Sequence, residues 1–242
     1  MDASYQFALT DGAGLSTRLC VMKRLLAILS IASLLASAVL QAQVAPRDPG
    51  RWEPNIQAFE EQDRASPPPT GEVVFVGASS IVRWNVAEFF PDLKVLNRGF
   101  GGSEMADTAH FAARTVLPYK PRIVVLYPGE NDIARGVSPE DVAAGFQRFV
   151  ATVRGALPNT RILVIGLKPT PARWRFNDQM LDTNRRLRAI AARHQGITYI
   201  GVEKAMLGPD KLPRPDLFIE DGQHMTRAGY EIWTEIVRPH LN

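Results

Sequence analysis

Five apolar runs of strand length, at residues 73–76, 93–96, 122–127, 161–166 and 197–202, alternate with stretches of helical apolar spacing. Those stretches lie near 81–90, 103–117, 138–156, 177–195 and 226–238. A run such as Ile123-Val124-Val125-Leu126 has no polar alternation, so both faces of that strand must be covered. Strands alternating with helices call for a parallel sheet with helices packed on its two sides. Pro118, Pro121 and Pro158-Asn159 punctuate the chain where strands should begin. With 242 residues and 45% hydrophobic content, one sizeable core suffices, and no internal repeat or second domain is visible.

The start of the chain reads differently. Met22-Lys23-Arg24 precedes an apolar run over 25–40, interrupted only by Ser30, Ser33 and Ser37. Small residues suited to cleavage follow at Ala36-Ser37-Ala38 and Leu40-Gln41-Ala42. This is the layout of a secretory signal peptide over 22–42, with 1–21 an upstream extension and Met22 the working start. The expected location is exported, periplasmic or secreted, with no membrane span left after cleavage. An uncleaved anchor is the alternative, although the run is short for spanning. Residues 43–71 are polar and proline-rich, ending in Ser66-Pro67-Pro68-Pro69-Thr70-Gly71 as an extended lead-in. Within them, 54–64 has the pattern of a short helix laying Ile56 and Phe59 on the domain that follows at 72–242.

Composition excludes some functions. Cys20 is the single cysteine, so neither a disulfide framework nor a thiolate metal site can be built. The net charge is +3, and no Lys/Arg block interleaves with aromatics, so no nucleic-acid partner is expected. Of four histidines, only His224 has an acid at useful spacing in a loop after a strand, so no metal site is expected either.

Four places carry chemistry, and each follows a strand or opens the last helix. Gly77-Ala78-Ser79-Ser80 ends the first strand, where open α/β sheets place their ligands. Ser79 there suits a nucleophile; both serines also suit a plain helix cap. Asn97-Arg98-Gly99-Phe100-Gly101-Gly102-Ser103 follows the second strand, with glycines that let backbone N–H groups approach a ligand or simply make a turn. Gly129-Glu130-Asn131-Asp132 follows the third, with Asn131 an amide donor or an Asx turn. Asp221-Gly222-Gln223-His224 spaces a carboxylate to orient an imidazole, leaving Nε2 free to take a proton.

In this order the blocks resemble the SGNH hydrolase superfamily, also called GDSL-type lipases/esterases, over roughly residues 72–240. The family's Gly-Asp-Ser is matched by Gly77-Ala78-Ser79, its Gly-x-Asn-Asp by Gly129 to Asp132, and its Asp-x-x-His by Asp221 and His224. Ala78 replaces the usual aspartate, which alters the local hydrogen bonds of the turn without removing a triad member. The resemblance implies a three-layer α/β/α, flavodoxin-like fold around a five-stranded parallel sheet. It also implies ester hydrolysis by Ser79, His224 and Asp221, with an oxyanion hole from the backbone N–H groups of Ser79 and Gly102 and the Asn131 amide. No cofactor is needed. On the Gly77 alignment Ser79 is preferred over its neighbour Ser80. Arg98, and Arg173 with Trp174 in the segment after the fourth strand, are candidate substrate contacts; Trp174 packed on a helix is the alternative. The chain has no long apolar insertion to serve as a lid, which favours short acyl groups on a small-molecule or carbohydrate ester. A lysophospholipase or arylesterase-type lipid esterase fits the same core residues. A catalytically inactive flavodoxin-like binding module is the rival outside enzymes, but leaves Asp221-x-x-His224 unexplained. The oligomeric state is not legible.

Overall fold

A computed structural model describes residues 44–242; the upstream extension and signal peptide expected over 1–42 lie outside the described residues. Five strands, β1 (Val73–Gly77), β2 (Val95–Gly99), β3 (Ile123–Tyr127), β4 (Arg161–Ile165) and β5 (Ile197–Ile200), form one sheet in the order β2-β1-β3-β4-β5. Every pairing is parallel. The helices are α1 (Glu53–Ala65), α2 (Ser79–Val82), α3 (Val86–Phe89), α4 (Met105–His110), α5 (Ala112–Thr115), α6 (Glu130–Arg135), α7 (Pro139–Ala156), α8 (Asn177–Arg193) and α9 (Arg227–Val237). They make the three-layer α/β/α sandwich of the flavodoxin-like type.

Alternate residues of each central strand enter two different cores, because side chains along a strand point to opposite faces. Val74, Val76, Val124, Leu126, Ile162 and Val164 pack under Phe146, Phe149 and Val153 of α7 and Leu187 of α8. Val73, Phe75, Ile123, Val125, Leu163 and Ile165 pack against Trp84, Phe90 and, from α9, Trp233 and Val237. A third, smaller cluster joins Ile56 of α1 to Phe100 and Phe111, with Trp52 and Phe59 against it. The lead-in therefore lies on the domain surface. Glu53 and Glu60 hold Arg114 there at 2.7 and 2.6 Å.

Three elements differ from their sequence reading. The second strand runs over Val95–Gly99 rather than 93–96, so Asn97, Arg98 and Gly99 are strand residues and not loop. Register decides this, since Val73 pairs with Val95 and Gly77 with Gly99. The helix expected near 81–90 breaks into α2 and α3. Asn97 supplies the reason: its Nδ2 donates to the carbonyls of Ile81 (2.7 Å) and Trp84 (3.1 Å), capturing oxygens a continuous helix would use. The helix expected over 103–117 likewise divides into α4 and α5 at Phe111.

At the end of β1, Gly77 has φ +140°, and a Cβ on it would stand against the carbonyl oxygen of Tyr127 on β3. A side chain there would be strained and would overlap that oxygen. Gly77→Ala is expected to destabilise the fold by roughly 2–4 kcal/mol, lowering Tm by about 5–15 °C in a calorimetric scan.

Asp132 accepts the Met105 N–H on both oxygens, at 3.1 and 3.0 Å, tying α6 to the first turn of α4. Burial pushes its pKa up to about 7; the Met105 hydrogen bonds oppose the shift and the nearby Glu104 and Asp107 add to it. Between about pH 4, where an unfolded aspartate loses its proton, and pH 7, the folded chain holds a proton that the unfolded chain has released. Stability should be fully present below that window and decline as pH rises through it. Asp132→Asn, which keeps a carbonyl for Met105, should show a shallower decline in denaturant unfolding at pH 5, 6, 7 and 8.

Candidate active site

β1 ends at Gly77, and the chain turns at Ala78 into the single turn α2. The turn is closed by Ile81 and Val82 N–H groups on the Ala78 carbonyl, at 2.9 and 3.1 Å. Gly99 of β2 allows this closeness, since a Cβ there would stand 2.9 Å from the Val82 nitrogen. Ser79 is left half-buried at the sheet's carboxyl edge, whereas Ser80 is buried. The Ser80 hydroxyl takes a hydrogen bond from Lys168 Nζ at 3.0 Å and its carbonyl one from Tyr230 at 3.0 Å. The two serines thus have separate surroundings, one at the surface and one in the core.

His224 arrives from the other end of the chain on a tight loop. The Ile219 N–H donates to the His224 carbonyl at 2.9 Å, and Gly222 makes the turn with φ +63°. Asp221 organises the loop. Its Oδ1 accepts the backbone N–H groups of Gln223 (2.9 Å) and His224 (2.8 Å), while Oδ2 lies 2.6 Å from His224 Nδ1. A carboxylate facing Nδ1 requires the proton on that nitrogen, so Nε2 is the acceptor. Nε2 lies 2.9 Å from Ser79 Oγ, within reach of the hydroxyl proton. Burial works to raise the Asp221 pKa, but the His224 ring and the two backbone N–H groups outweigh it and hold the carboxyl far below the usual range. Asp221 therefore stays ionised opposite the imidazole. Hydroxyl, imidazole and carboxylate stand in line, as needed to draw a proton from Ser79 while it attacks an electrophile.

The glycine loop after β2 passes beside Ser79: a Cβ on Gly101 would stand 4.0 Å from that of Ser79. Gly102 follows with φ +82°. Asn131, on the first turn of α6, donates from Nδ2 to the Ser103 carbonyl at 3.0 Å, which brings its amide to the same loop. Its Oδ1 accepts from Arg173 Nη2 at 3.0 Å.

The three candidate substrate contacts fare differently. Arg98 is committed elsewhere. Its guanidinium is buried, paired with Asp63 of α1, donating to Tyr119 Oη at 2.7 Å and lying over the rings of Phe59 and Tyr119. The reading of Arg98 as a substrate residue treated it as loop, and its strand register sends it to α1. Arg173 reaches the site's edge but turns toward Asn131 and Glu130, the latter 3.2 Å away. Trp174 is half-buried on the same 3-10 segment, Pro171–Phe176.

The sequence assigns no role to Lys168 or to Glu130, although both stand in segments that it marks. Lys168 is wholly buried, with Nζ 2.5 Å from Glu130 Oε2 and 3.4 Å from the Tyr127 hydroxyl. Tyr127 Oη donates to Glu130 at 2.6 Å. Burial favours a protonated Glu130, but Lys168 and Arg173 together outweigh it and shift the carboxyl below its usual value. The available signal is a lysine two positions past the apolar run 161–166. Among the described residues, no group of three or more His, Cys, Asp or Glu is arranged to hold a metal, and no helix is long and apolar enough to cross a membrane.

The family of GDSL-like lipases and acylhydrolases matches residues 76–232, more than half of the chain and all four of the blocks above. Platelet-activating factor acetylhydrolase IB subunit alpha1 of Bos taurus is 28% identical over 191 residues, 75% of this chain and 78% of its own. A GDSL-like lipase from Bacteroides thetaiotaomicron superposes with a TM-score of 0.66 at 20% identity, over 77% of this chain and 97% of that one. An acetyl-xylooligosaccharide esterase from Geobacillus superposes with a TM-score of 0.59 at 18% identity, over 72% and 95% respectively. At such identities the structural likenesses speak for the fold. The chain belongs to the GDSL-like lipase/acylhydrolase family and is a carboxylic ester hydrolase of the SGNH superfamily.

Proposed function

We propose that the chain is an exported serine esterase that removes short acyl groups, acetyl above all, from small-molecule or carbohydrate esters. The observation that carries the reading is the 2.9 Å approach of Ser79 Oγ to His224 Nε2, with Asp221 behind the ring. In the proposed reaction Ser79 attacks the ester carbonyl as His224 takes its proton. The negative charge of the tetrahedral intermediate falls to the backbone N–H groups of Ser79 and Gly102 and to Asn131 Nδ2. His224 then protonates the departing alcohol, and the acyl-enzyme is cleared by a water activated in the same way. Asp221 keeps Nδ1 protonated and offsets the positive ring at each transfer.

Short acyl groups are supported from two sides. The chain has no long apolar insertion of the kind a lipid lid requires. A relative and a structural neighbour both carry acetyl esters in their names, as platelet-activating factor acetylhydrolase and acetyl-xylooligosaccharide esterase. Export is supported by the sequence over 22–42.

Labelling by a fluorophosphonate probe, lost in Ser79→Ala and kept in Ser80→Ala, tests the nucleophile; loss only in Ser80→Ala would move it by one residue. Asn131→Ala should lower kcat on the order of 10²–10³-fold with the fold intact by circular dichroism. A nitrophenyl ester series from acetyl to palmitoyl, run beside acetylated xylan, should show rates falling steeply beyond the shortest chains. A maximum at long chains would favour the lipid-esterase alternative.

A further inference from the structure

We propose that Arg173 is a positioning residue of the oxyanion hole: it sets which way round the Asn131 amide stands and polarises it, so that Nδ2 meets the developing negative charge as a stronger donor. The inference rests on the ester-hydrolase reading above, in which Asn131 is one of the donors.

The two ends of a carboxamide are nearly equal in size, so its partners decide its orientation. Asn131 has one partner at each end, Ser103 O at 3.0 Å from Nδ2 and Arg173 Nη2 at 3.0 Å from Oδ1. Turning the amide over would set its oxygen against the Ser103 carbonyl and its NH2 against the guanidinium. Both hydrogen bonds would be lost and two like-polarity contacts made. In the orientation observed, one Nδ2 hydrogen goes to Ser103 and the other remains for a ligand.

The hydrogen bond from Arg173 is charge-assisted. A cation at Oδ1 draws electron density toward the oxygen and leaves the N–H more positive. Polarisation of this kind is strongest where water is scarce. The Arg173 side chain is 15% exposed and Glu130 beside it 5%. Glu130 faces both Lys168, at 2.5 Å, and Arg173, at 3.2 Å. Lys168 and Arg173 thus share one carboxylate, and Arg173 is the one that also touches the amide. The contact from Arg173 Nη1 is electrostatic, since neither it nor Glu130 Oε1 has an aligned hydrogen-bond partner. This leaves Nη2 as the arm that makes an aligned hydrogen bond, to Asn131. A guanidinium fork can serve two partners held at different places, which an ammonium does less well.

Position along the chain supports the same role. Arg173 departs from helical geometry inside its 3-10 segment, at φ −118° and ψ 17°. The residue before it, Ala172, donates its N–H to the Gly222 carbonyl at 3.0 Å, in the loop that carries Asp221 and His224. One turn therefore joins the proposed base loop to the proposed oxyanion donor.

The test uses the whole chain with nitrophenyl acetate, comparing Arg173→Met, Asn131→Ala and the double variant. Arg173→Met should lower kcat on the order of tenfold, with KM changed less than about twofold. In the Asn131→Ala background the same substitution should add less than about twofold, because its effect passes through the amide. A full tenfold loss in both backgrounds, or a change in KM alone, would overturn the proposal. Should Arg173→Met fold poorly by thermal scan, Arg173→Lys carries the test, since it keeps a cation for Glu130 without the fork and should show the same dependence on Asn131. A wild-type chain that neither cleaves the acetate nor takes up a fluorophosphonate would remove the hydrolase reading itself. An active wild type with unaltered Arg173 variants would remove only the role given to Arg173.

Discussion

Lys168 and Glu130 are buried together beneath the turn that carries Ser79. Taking two charges out of water costs several kcal/mol per ion, so such a pair persists only when its remaining hydrogen-bonding capacity is largely met. The Lys168 ammonium has Glu130, the Ser80 hydroxyl and the Tyr127 hydroxyl, and it lies 5.1 Å from the Tyr127 ring centroid. Glu130 has Lys168, Tyr127 and the Arg173 guanidinium. The partners come from at or just past the ends of β1, β3 and β4, so the cluster fixes three strand ends relative to one another. A single apolar residue in place of Lys168 would leave Glu130 less compensated and Ser80 without its donor. The apolar sheet alone does not define where its edge loops lie; this cluster does so at the place where the chemistry is proposed.

The sheet order explains why that place is here. From β1 the chain runs outward to β2 and then crosses back to β3 on the other side of β1. At such a reversal the loops after β1 and β3 diverge and open a crevice at the carboxyl edge. Ser79 stands after β1 and Asn131 after β3, one on each side of that opening. His224 is delivered from the far C-terminal region because α9 packs on the face under β1 and β3, where Trp233 meets Trp84 and Tyr127. The separation of 145 positions along the chain between Ser79 and His224 is therefore bridged by core packing.

The central strands were legible in the sequence because they are buried on both faces, and an unbroken run of β-branched residues has few other uses. The site blocks were legible because each stands at a strand end or in the loop that opens the last helix, where side chains can be exposed without disturbing a core. The edge strand β2 was less so. Its residues are half-buried toward its start, and Asn97 and Arg98 look like loop until their partners are known. Both are satisfied by tertiary contacts, Asn97 by the α2 carbonyls and Arg98 by Asp63, and neither contact is local in sequence. Lys168 was passed over for a related reason: a lysine after an apolar strand reads as the first solvated residue of a loop. Its burial follows from a carboxylate 38 residues earlier.

The lead-in before β1 shows how far the loop after β2 depends on distant chain. Trp52 lies edge-on to Phe100, 5.7 Å between ring centroids, and donates its indole N–H to Asp107 at 3.1 Å. Asp107 also accepts the Glu104 N–H at 2.8 Å, closing the first turn of α4 just after the glycine loop. The Trp52 ring edge stands 3.4 Å from where a Cβ of Gly102 would be. A glycine-rich loop left to itself samples many conformations, because glycine restricts its backbone least. Here an aromatic wedge on one side and the Ser103–Asn131 hydrogen bond on the other confine it. The glycines would permit the backbone to come close to an ester held at the proposed site, and the segment at Asp48–Ala65, together with Asn131, removes the freedom that the glycines would otherwise bring. For the oxyanion donors proposed here, that removal matters as much as the donors, since a group that must reorganise during a reaction gives back part of what it stabilises.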